Sequence, residues 1–451
     1  MALWNPIDRR RMLRAMACGA CGVSVSGWLP SLAHAIAADP KRRRHCILLW
    51  MAGGPSQTDT FDMKPGHENG GEFKEIATKA AGVRFSEHLP RLAEHADKLA
   101  IIRSLTTKEG DHERGSYLMR TGQRPMGVVN YPSLASGLAK EMALADDSLP
   151  PYVSISPSRG PGQGGFGPGF LGPKFAPLVV AGNQMATPAG ANANEAAKAA
   201  FAELKVDAVK PPASVTTVQT ERRLELWKML ETRFLNQHPG SSPAAHQTVY
   251  NNALQMVESD ASAAFDLSTE PEKVREKYGK GVFGQGCLMA RRLVERGVPF
   301  VEVSLSSSVA GTYGWDTHAN NFEAVKGLSA ELDAGWASLM SDLEARGLLE
   351  LTTIVWMGEF GRTPQINGAA GRDHFPRAWS CVLGGGGIAG GQAYGRTTAD
   401  GMNIEEDPVE VTDVLATLCA ALGVDPQTEN TSNTGRPIKL VDGAPIDKLL
   451  A

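Results

Sequence analysis

The stretch that decides the fold spans residues 298–357, which begin with VPFVEVS (298–304) and end with LTTIVWM (351–357). Both ends are short apolar runs of the kind that form buried strands. Between them, large apolar side chains recur at steps of three and four, which predicts one buried face of a long helix: Phe322, Val325, Leu328, Leu332, Trp336, Leu339 and Leu343. Because strand, helix, strand units have right-handed crossovers, we expect two parallel strands.

Other apolar runs predict more of the same architecture. Residues 45–51 (HCILLWM) form a continuous apolar run that stops at Gly53 and Gly54, as a buried strand entering a loop would. Further candidates are strands at 99–102, 152–155 and 379–383 and helices at 220–236, 253–264, 286–296 and 411–422. These elements predict an α/β protein, a three-layer α/β/α sandwich with a mostly parallel central sheet and a helical insertion at about residues 195–295.

The first 35 residues have the features of an export signal. Arg9 and Arg10 precede an apolar pair and a further arginine, which is the arrangement of a twin-arginine (Tat) signal. Residues 15–29 are uncharged and too short to span a bilayer, and residues 33–35 (AHA) resemble a cleavage site. We therefore expect a Tat signal peptide at 1–35, the Tat translocon as a partner during export, and a periplasmic or secreted domain at 36–451. The alternative is an uncleaved amphipathic helix.

Charge and cysteine usage exclude several functional classes. The leader contains four arginines and one aspartate, so its removal from 45 basic and 49 acidic residues leaves 41 and 48, a net charge of −7. Such a balance favours neither nucleic acid nor an anionic membrane. No later segment reads as a membrane span, so no stable anchor is expected after cleavage. The remaining cysteines are widely spaced and are expected to be buried apolar positions: Cys46, Cys287, Cys381 and Cys419.

Polar residues that can bind metal follow several of the predicted strands. Because the carboxyl ends of parallel strands meet at one edge of a sheet, we expect these residues to converge. Carboxylates and imidazoles are ligands of Zn²⁺ and Mn²⁺, and an oxygen-only subset suits Ca²⁺. We therefore predict one or more divalent metal ions. The alternative, for each residue alone, is a surface loop or a helix cap. The candidate ligands are Asp59, Asp316, His318, Glu359, Asp373 and His374.

A further polar cluster precedes a predicted short helix at residues 111–122. The backbone amides at the start of this helix are suited to an anion such as phosphate or sulfate. The alternative is that Asp111 only caps the helix.

In combination, these motifs resemble the DUF1501 family, a group of exported proteins of undetermined function placed in the alkaline phosphatase and sulfatase superfamily. The resemblance covers about residues 45–422 and lies in four motifs: WMAGGPS with DTFD (50–62), GWDTH (314–318), GEFGRTP (358–364) and RDH (372–374). It implies an alkaline phosphatase-like fold. It also implies that Asp316 with His318, then Glu359, then His374 correspond to the superfamily's later metal ligands.

The chain departs from the superfamily pattern at two places. Sulfatases present adjacent acids directly after the first strand, where this chain has Gly53 and Gly54. In addition, the sulfatase helix signature aligns so that His112 occupies the position of the Cys or Ser nucleophile. His112 can act as a phosphoryl acceptor, a general base or an additional ligand. Ordinary sulfatase activity is therefore not expected.

These observations favour an exported, metal-dependent hydrolase of a small anionic ester, a phosphate or a sulfate. Arg362 and Arg114 are predicted to neutralise the substrate oxyanion, with His112 as a further catalytic candidate. Two alternatives remain open at this stage. One is a non-catalytic metal-binding or structural protein on the same fold, and the other is a lyase or transferase, because fold alone does not determine the reaction.

Overall fold

The computed structural model describes residues 43–451 except 126–127, 145–146, 159–163, 184–200, 207–214, 239–246, 248, 252, 255 and 257–259. The predicted signal peptide lies outside the described residues, and the helix predicted at 253–264 falls partly outside them. No helix within the described ranges is both long and apolar enough to cross a membrane.

A ten-stranded sheet forms the centre of residues 43–451. The strands are β1 (His45–Met51), β2 (Leu99–Thr106), β3 (Tyr152–Ile155), β4 (Leu178–Asn183), β5 (Glu203–Lys205), β6 (Phe300–Leu305), β7 (Thr352–Met357), β8 (Trp379–Gly385), β9 (Gln392–Tyr394) and β10 (Val409–Glu410). Their order across the sheet is β9-β2-β8-β7-β1-β6-β3-β4-β5, and β10 also pairs with β2. Strands β5 and β8 run antiparallel to their neighbours, and the others pair in parallel, so the predicted mostly parallel sheet is confirmed.

Helices cover both faces of this sheet. The helices are α1 (Pro90–Ala93), α2 (His112–Thr121), α3 (Leu134–Met142), α4 (Thr217–Gln237), α5 (Glu272–Tyr278), α6 (Val282–Glu295), α7 (Asn321–Ala345) and α8 (Val411–Ala421). One core contains Ile47 and Leu49 of β1 with residues of α1, α5, α6 and α7, and the other contains Leu48 and Trp50 with residues of α2, α3 and α8. Successive β1 side chains thus enter opposite cores, which confirms the three layers.

The unit predicted from residues 298–357 is present as β6, α7 and β7. Six of the seven apolar residues predicted for the helix face are fully buried, and Phe322 is half-buried. The two strands are parallel, as predicted, but they are not adjacent, because β1 lies between them and pairs with both. The central position suits β1, whose seven residues are all buried.

The predicted insertion is only partly helical. Helices α4, α5 and α6 lie within residues 195–295, but β5 also lies there and joins the edge of the sheet. Helix α6 packs against β6, and its Cys287 and Leu288 are fully buried, so its residues belong to the core.

Candidate metal centre

The carboxyl ends of three parallel strands, β2, β6 and β7, deliver the polar residues of one site. The loop after β6 carries Asp316 and His318, and Glu359 follows β7 directly. Strand β2 leads into α2, whose first residue is His112. His374 comes from a short two-stranded ribbon in the β7–β8 connection, where it pairs with Arg362.

Four potential ligand atoms face one another at this edge of the sheet. The Oδ1 atom of Asp316 lies 3.4 Å from Nε2 of His112, 3.2 Å from Nε2 of His318 and 3.4 Å from Nε2 of His374. The Nε2 atoms of His318 and His374 are 3.0 Å apart. Ligands bound about 2.0–2.1 Å from a tetrahedral zinc ion are separated by roughly 3.3 Å. The four measured spacings are near that value, and the ligand atoms of His112, Asp316 and His374 all lie within 4.8 Å of one another, close enough to hold one ion.

His112 is oriented by a buried carboxylate. Its Nδ1 lies 2.6 Å from Oε1 of Glu359, a fully buried side chain, and the same oxygen accepts a hydrogen bond from the backbone N–H of Gly53 at 2.9 Å. Glu359 therefore supports His112, and its carboxylate does not contribute one of the four facing atoms. A carboxylate behind a histidine is the usual outer partner of a metal-bound imidazole.

The other two histidines have the same kind of support. Nδ1 of His374 donates to the backbone carbonyl of Gly110 at 2.8 Å, and Nδ1 of His318 lies 2.8 Å from Oδ1 of Asp373. These bonds assign the proton to Nδ1 in each neutral ring and leave an Nε2 lone pair directed at Asp316. Lone pairs and a carboxylate that face one another repel, unless a cation lies among them.

The electrostatics of the site also favour positive charge. Burial alone lowers the pKa of His112, but hydrogen bonds with Asp316 and Glu359 raise it to about 9. Burial raises the pKa of Asp316, but its bonds with His112, His374 and Arg362 outweigh this and hold that pKa far below its usual range. Without a metal, the His112 proton supplies the charge that the carboxylates require.

A glycine after the first strand allows the loops to meet. Gly53 has φ +103°, and a Cβ there would lie 2.4 Å from the backbone nitrogen of Asp316. Any side chain at residue 53 would therefore meet the backbone of the Asp316 loop. This close approach explains why a glycine stands directly after the first strand.

Arg362 supports the site from inside. It is fully buried: Nε donates to the carbonyl of Gly54 at 3.0 Å, Nη1 to the carbonyl of Arg372 at 3.2 Å, and Nη2 to Gly53 and to Oδ1 of Asp316. The sequence suggested contact with a substrate oxyanion. The structure instead places its nitrogens on protein oxygens, where they fix Asp316.

Asp59 and Arg114 also have protein partners, and not the metal or the substrate that the sequence suggested for them. Asp59, proposed as a metal ligand, is fully buried away from the four facing atoms. Its carboxylate accepts two bonds from Arg372, at 2.7 and 3.0 Å, and one from Asn321. Arg114 is half exposed and pairs with Glu109 at 2.6 Å.

The cluster before α2 resolves in favour of capping. Oδ1 of Asp111 accepts a hydrogen bond from the backbone N–H of Arg114 at 3.1 Å, so Asp111 is the N-cap of α2.

Two supporting groups were missed at the sequence level. The carbonyl of Gly110 orients His374, and Arg372 satisfies Asp59. A backbone carbonyl has no sequence signal. Arg372 is part of the RDH motif, but the motif by itself does not show that its guanidinium pairs with Asp59.

The family model described as "Protein of unknown function (DUF1501)" matches residues 43–450. The chain therefore belongs to the DUF1501 family, as the sequence motifs predicted. A comparison with curated protein sequences gives no match.

Three solved structures that are similar to this chain share only 11–12% of its sequence. A sulfatase from Pseudoalteromonas sp. is 12% identical over 88% of this chain and 72% of that chain, with a TM-score of 0.41. The phosphonate monoester hydrolase of Agrobacterium radiobacter is 12% identical over 90% and 77%, with a TM-score of 0.41. A protein in the alkaline phosphatase superfamily from Vibrio parahaemolyticus is 11% identical over 93% and 78%, with a TM-score of 0.36.

Proposed function

We propose that this protein is an exported, metal-dependent hydrolase of phosphate or sulfate esters. The observation that carries the proposal is the set of four facing atoms, three imidazole nitrogens and one carboxylate oxygen, 3.0–3.4 Å apart along the measured edges. Each imidazole is held from behind through Nδ1, which is the arrangement of metal-binding histidines.

The donor set favours a borderline ion over a hard one. Three nitrogen donors and a single carboxylate suit Zn²⁺, with Mn²⁺ as the next candidate, whereas Ca²⁺ prefers six to eight oxygen ligands. Among the ions suggested by the sequence, zinc therefore fits these residues best.

The protein's own residues define what the site can do. A bound divalent ion would supply Lewis acidity that activates a water nucleophile and polarises the ester. His112 directs Nε2 toward Asp316, so it fits the role of an additional ligand better than that of a phosphoryl acceptor. The side chain of His318 is 47% exposed and that of Asp316 is 24% exposed, which leaves this side of the site open to a substrate.

Metal analysis of the purified mature protein tests the proposal. We expect bound zinc in the wild type and its loss in His374→Ala, because that substitution removes one of the four facing atoms. His95→Ala is the matched control, since its Nε2 bonds Ser341 of α7 and none of these ligands. A wild type without metal, or His374→Ala with full metal content, would contradict the proposal.

One observation favours the second candidate, a non-catalytic metal-binding protein. The four candidate donors equal in number the ligands of a structural zinc site, whereas catalytic sites have three protein ligands and keep an open position. Assays with phosphate and sulfate monoesters and diesters separate the two. Turnover that disappears in His374→Ala and persists in His95→Ala supports the hydrolase. Stoichiometric zinc with no turnover, and a large loss of stability on chelation, supports the structural role.

Export through the Tat pathway is part of the same proposal and rests on the sequence of residues 1–35. We expect a mature protein that begins after Ala35 in the periplasm or medium. Replacing Arg9 and Arg10 by lysine should retain the precursor in the cytoplasm. Normal export of that variant would exclude the Tat route.

A further inference from the structure

The inner face of α2 carries three polar residues at successive turns. His112, Ser116 and Arg120 are four residues apart, a spacing that places them on one side of a helix about 6 Å from one another. Ser116 is fully buried, and Arg120 is only 5% exposed. The first of the three contacts Glu359 and the last contacts Glu302, so this face joins two buried acids.

Arg120 forms a buried ion pair under the last turn of α2. Its Nη1 and Nη2 donate to the two carboxylate oxygens of Glu302 at 2.8 and 3.0 Å, and the hydroxyl of Tyr152 donates to the same carboxylate at 2.8 Å. The guanidinium also lies 4.0 Å from the ring centroid of Trp50. These contacts fix Arg120 in position but do not involve its Nε.

Four buried polar atoms at this face have no hydrogen-bond partner among the described residues: Oε2 of Glu359, Nε2 of His112, Oγ of Ser116 and Nε of Arg120. Of these, Nε2 of His112 is the atom that faces Asp316. A carboxylate that is fully buried needs compensating charge or hydrogen bonds on both oxygens. Helix α2 passes directly over Glu359, because a Cβ on Gly115 would lie 3.1 Å from the Glu359 carbonyl oxygen. The unpaired hydroxyl and the unpaired donor are therefore about one turn apart on α2, and the unpaired acceptor belongs to the residue beneath this helix.

Charge connects the two ends of this face. Burial lowers the pKa of Arg120, whereas Glu302 raises it most strongly and Tyr152 and Glu359 add to the increase. The guanidinium is therefore shared electrostatically between the carboxylate that it contacts and the one that supports His112.

We propose that Arg120 is a positioning residue for the metal centre. Through a buried water held by Ser116, it compensates the charge of Glu359 and keeps that carboxylate directed at Nδ1 of His112. A buried water with three polar partners is typical of protein interiors. This inference rests on the metal binding of the proposed function. It adds a residue, Arg120, that supports the ligand His112 indirectly, through Glu359, and that contacts neither metal nor substrate.

The experiment measures zinc affinity of the mature protein by competition with a chromogenic chelator. The test variant is Arg120→Met with Glu302→Leu, which removes both charges of this ion pair, so that neither member is left buried without the other. It is made in the wild type and in Glu359→Gln. The matched control is Arg292→Met with Glu270→Leu, the same change at another ion pair, where the nitrogen and oxygen are 2.5 Å apart. Arg291, which also contacts Glu270, keeps Glu295 as a partner at 3.0 Å. Circular dichroism checks that each variant is folded.

Arg120→Met with Glu302→Leu is expected to weaken zinc binding by about 10–100-fold, the usual cost of losing an outer partner. In the Glu359→Gln background it should add no more than about twofold, because Arg120 acts through Glu359. The control should change affinity by less than about twofold. Equal losses in both backgrounds, or no loss in either, would overturn the proposal.

A second measurement is made without metal. In ¹⁵N-histidine-labelled protein, the His112 Nδ1–H should give a resonance that Arg120→Met with Glu302→Leu broadens or shifts and the control leaves unchanged. If the wild type binds no zinc, the proposed function fails, and this resonance alone decides the positioning role. An unperturbed resonance in the test variant would refute it.

Discussion

At the scale of single residues, the site depends on which atom of each side chain faces inward. His112, His318 and His374 each direct Nε2 at Asp316 because Nδ1 is bound elsewhere. The candidate ligands therefore separate into atoms that face one another and groups that support them. Glu359 and Asp373 belong to the second group.

The affinity for zinc should depend on pH through His112. The pKa of His112 is raised to about 9, so below that pH zinc must displace its proton. Apparent affinity should therefore increase by about tenfold per pH unit between pH 6 and pH 8. Chelator competition at several pH values measures this slope. A zinc affinity that stays constant across this pH range would show that zinc binding does not displace a proton from His112.

The substitution Gly53→Ala should destabilise the protein and weaken metal binding. A methyl group would lie 2.4 Å from the Asp316 nitrogen, and φ is +103°. Strain and overpacking together predict a loss of about 2–4 kcal/mol in the free energy of unfolding. Gly82→Ala is the control, because φ is +79° but no atom lies within 4 Å. It should cost about 1 kcal/mol. Equal losses in urea unfolding would contradict the steric argument.

At the scale of elements, β1 holds the centre of the sheet between β6 and β7. Its apolar run predicted a buried strand, but its place between the two strands of the 298–357 unit could not be predicted. Strand order depends on which edges pair, and several fully apolar strands satisfy the same sequence pattern. The convergence of the loops after these strands follows from that order.

Acid should destabilise β1 through His45, whose Nδ1 donates to the Val298 carbonyl at 2.8 Å. Burial lowers the pKa of His45 to about 4, below the value of 6.5 in the unfolded chain. Its contribution is therefore complete above pH 6.5 and is lost as pH falls through 4, at up to about 1.4 kcal/mol per unit. Between pH 7 and pH 5, wild type should lose about 2 kcal/mol more than His45→Gln in urea unfolding. Parallel losses would exclude His45 as the cause.

At the scale of the whole molecule, the four cysteines lie in the two cores on either side of the sheet. All four are free and buried, and burial raises the pKa of the thiols of Cys381 and Cys419 to about 12. The sequence predicted buried apolar positions for them, and the structure confirms this. Thiols held neutral in a core are unreactive.

Thiol labelling tests this arrangement. The native mature protein should not react with a thiol reagent over minutes at pH 8, and four thiols should react after unfolding in urea. A reducing agent should leave the thermal unfolding temperature unchanged, because the described structure contains free thiols at all four positions. Rapid labelling of the native protein would show that a core opens.

The sequence by itself determined six of the ten strands of the sheet (β1, β2, β3, β6, β7 and β8), the long helix, the parallel pairing and the family, because apolar periodicity reports local burial and short motifs are read directly from the chain. It also named every residue of the four facing atoms. Only the tertiary structure decided which of these residues face one another and which support them. His112 and Glu359 are 247 positions apart, and Asp59 meets Arg372 across 313. The direction of a ring nitrogen or a carboxylate is set by such distant partners, which sequence spacing does not encode.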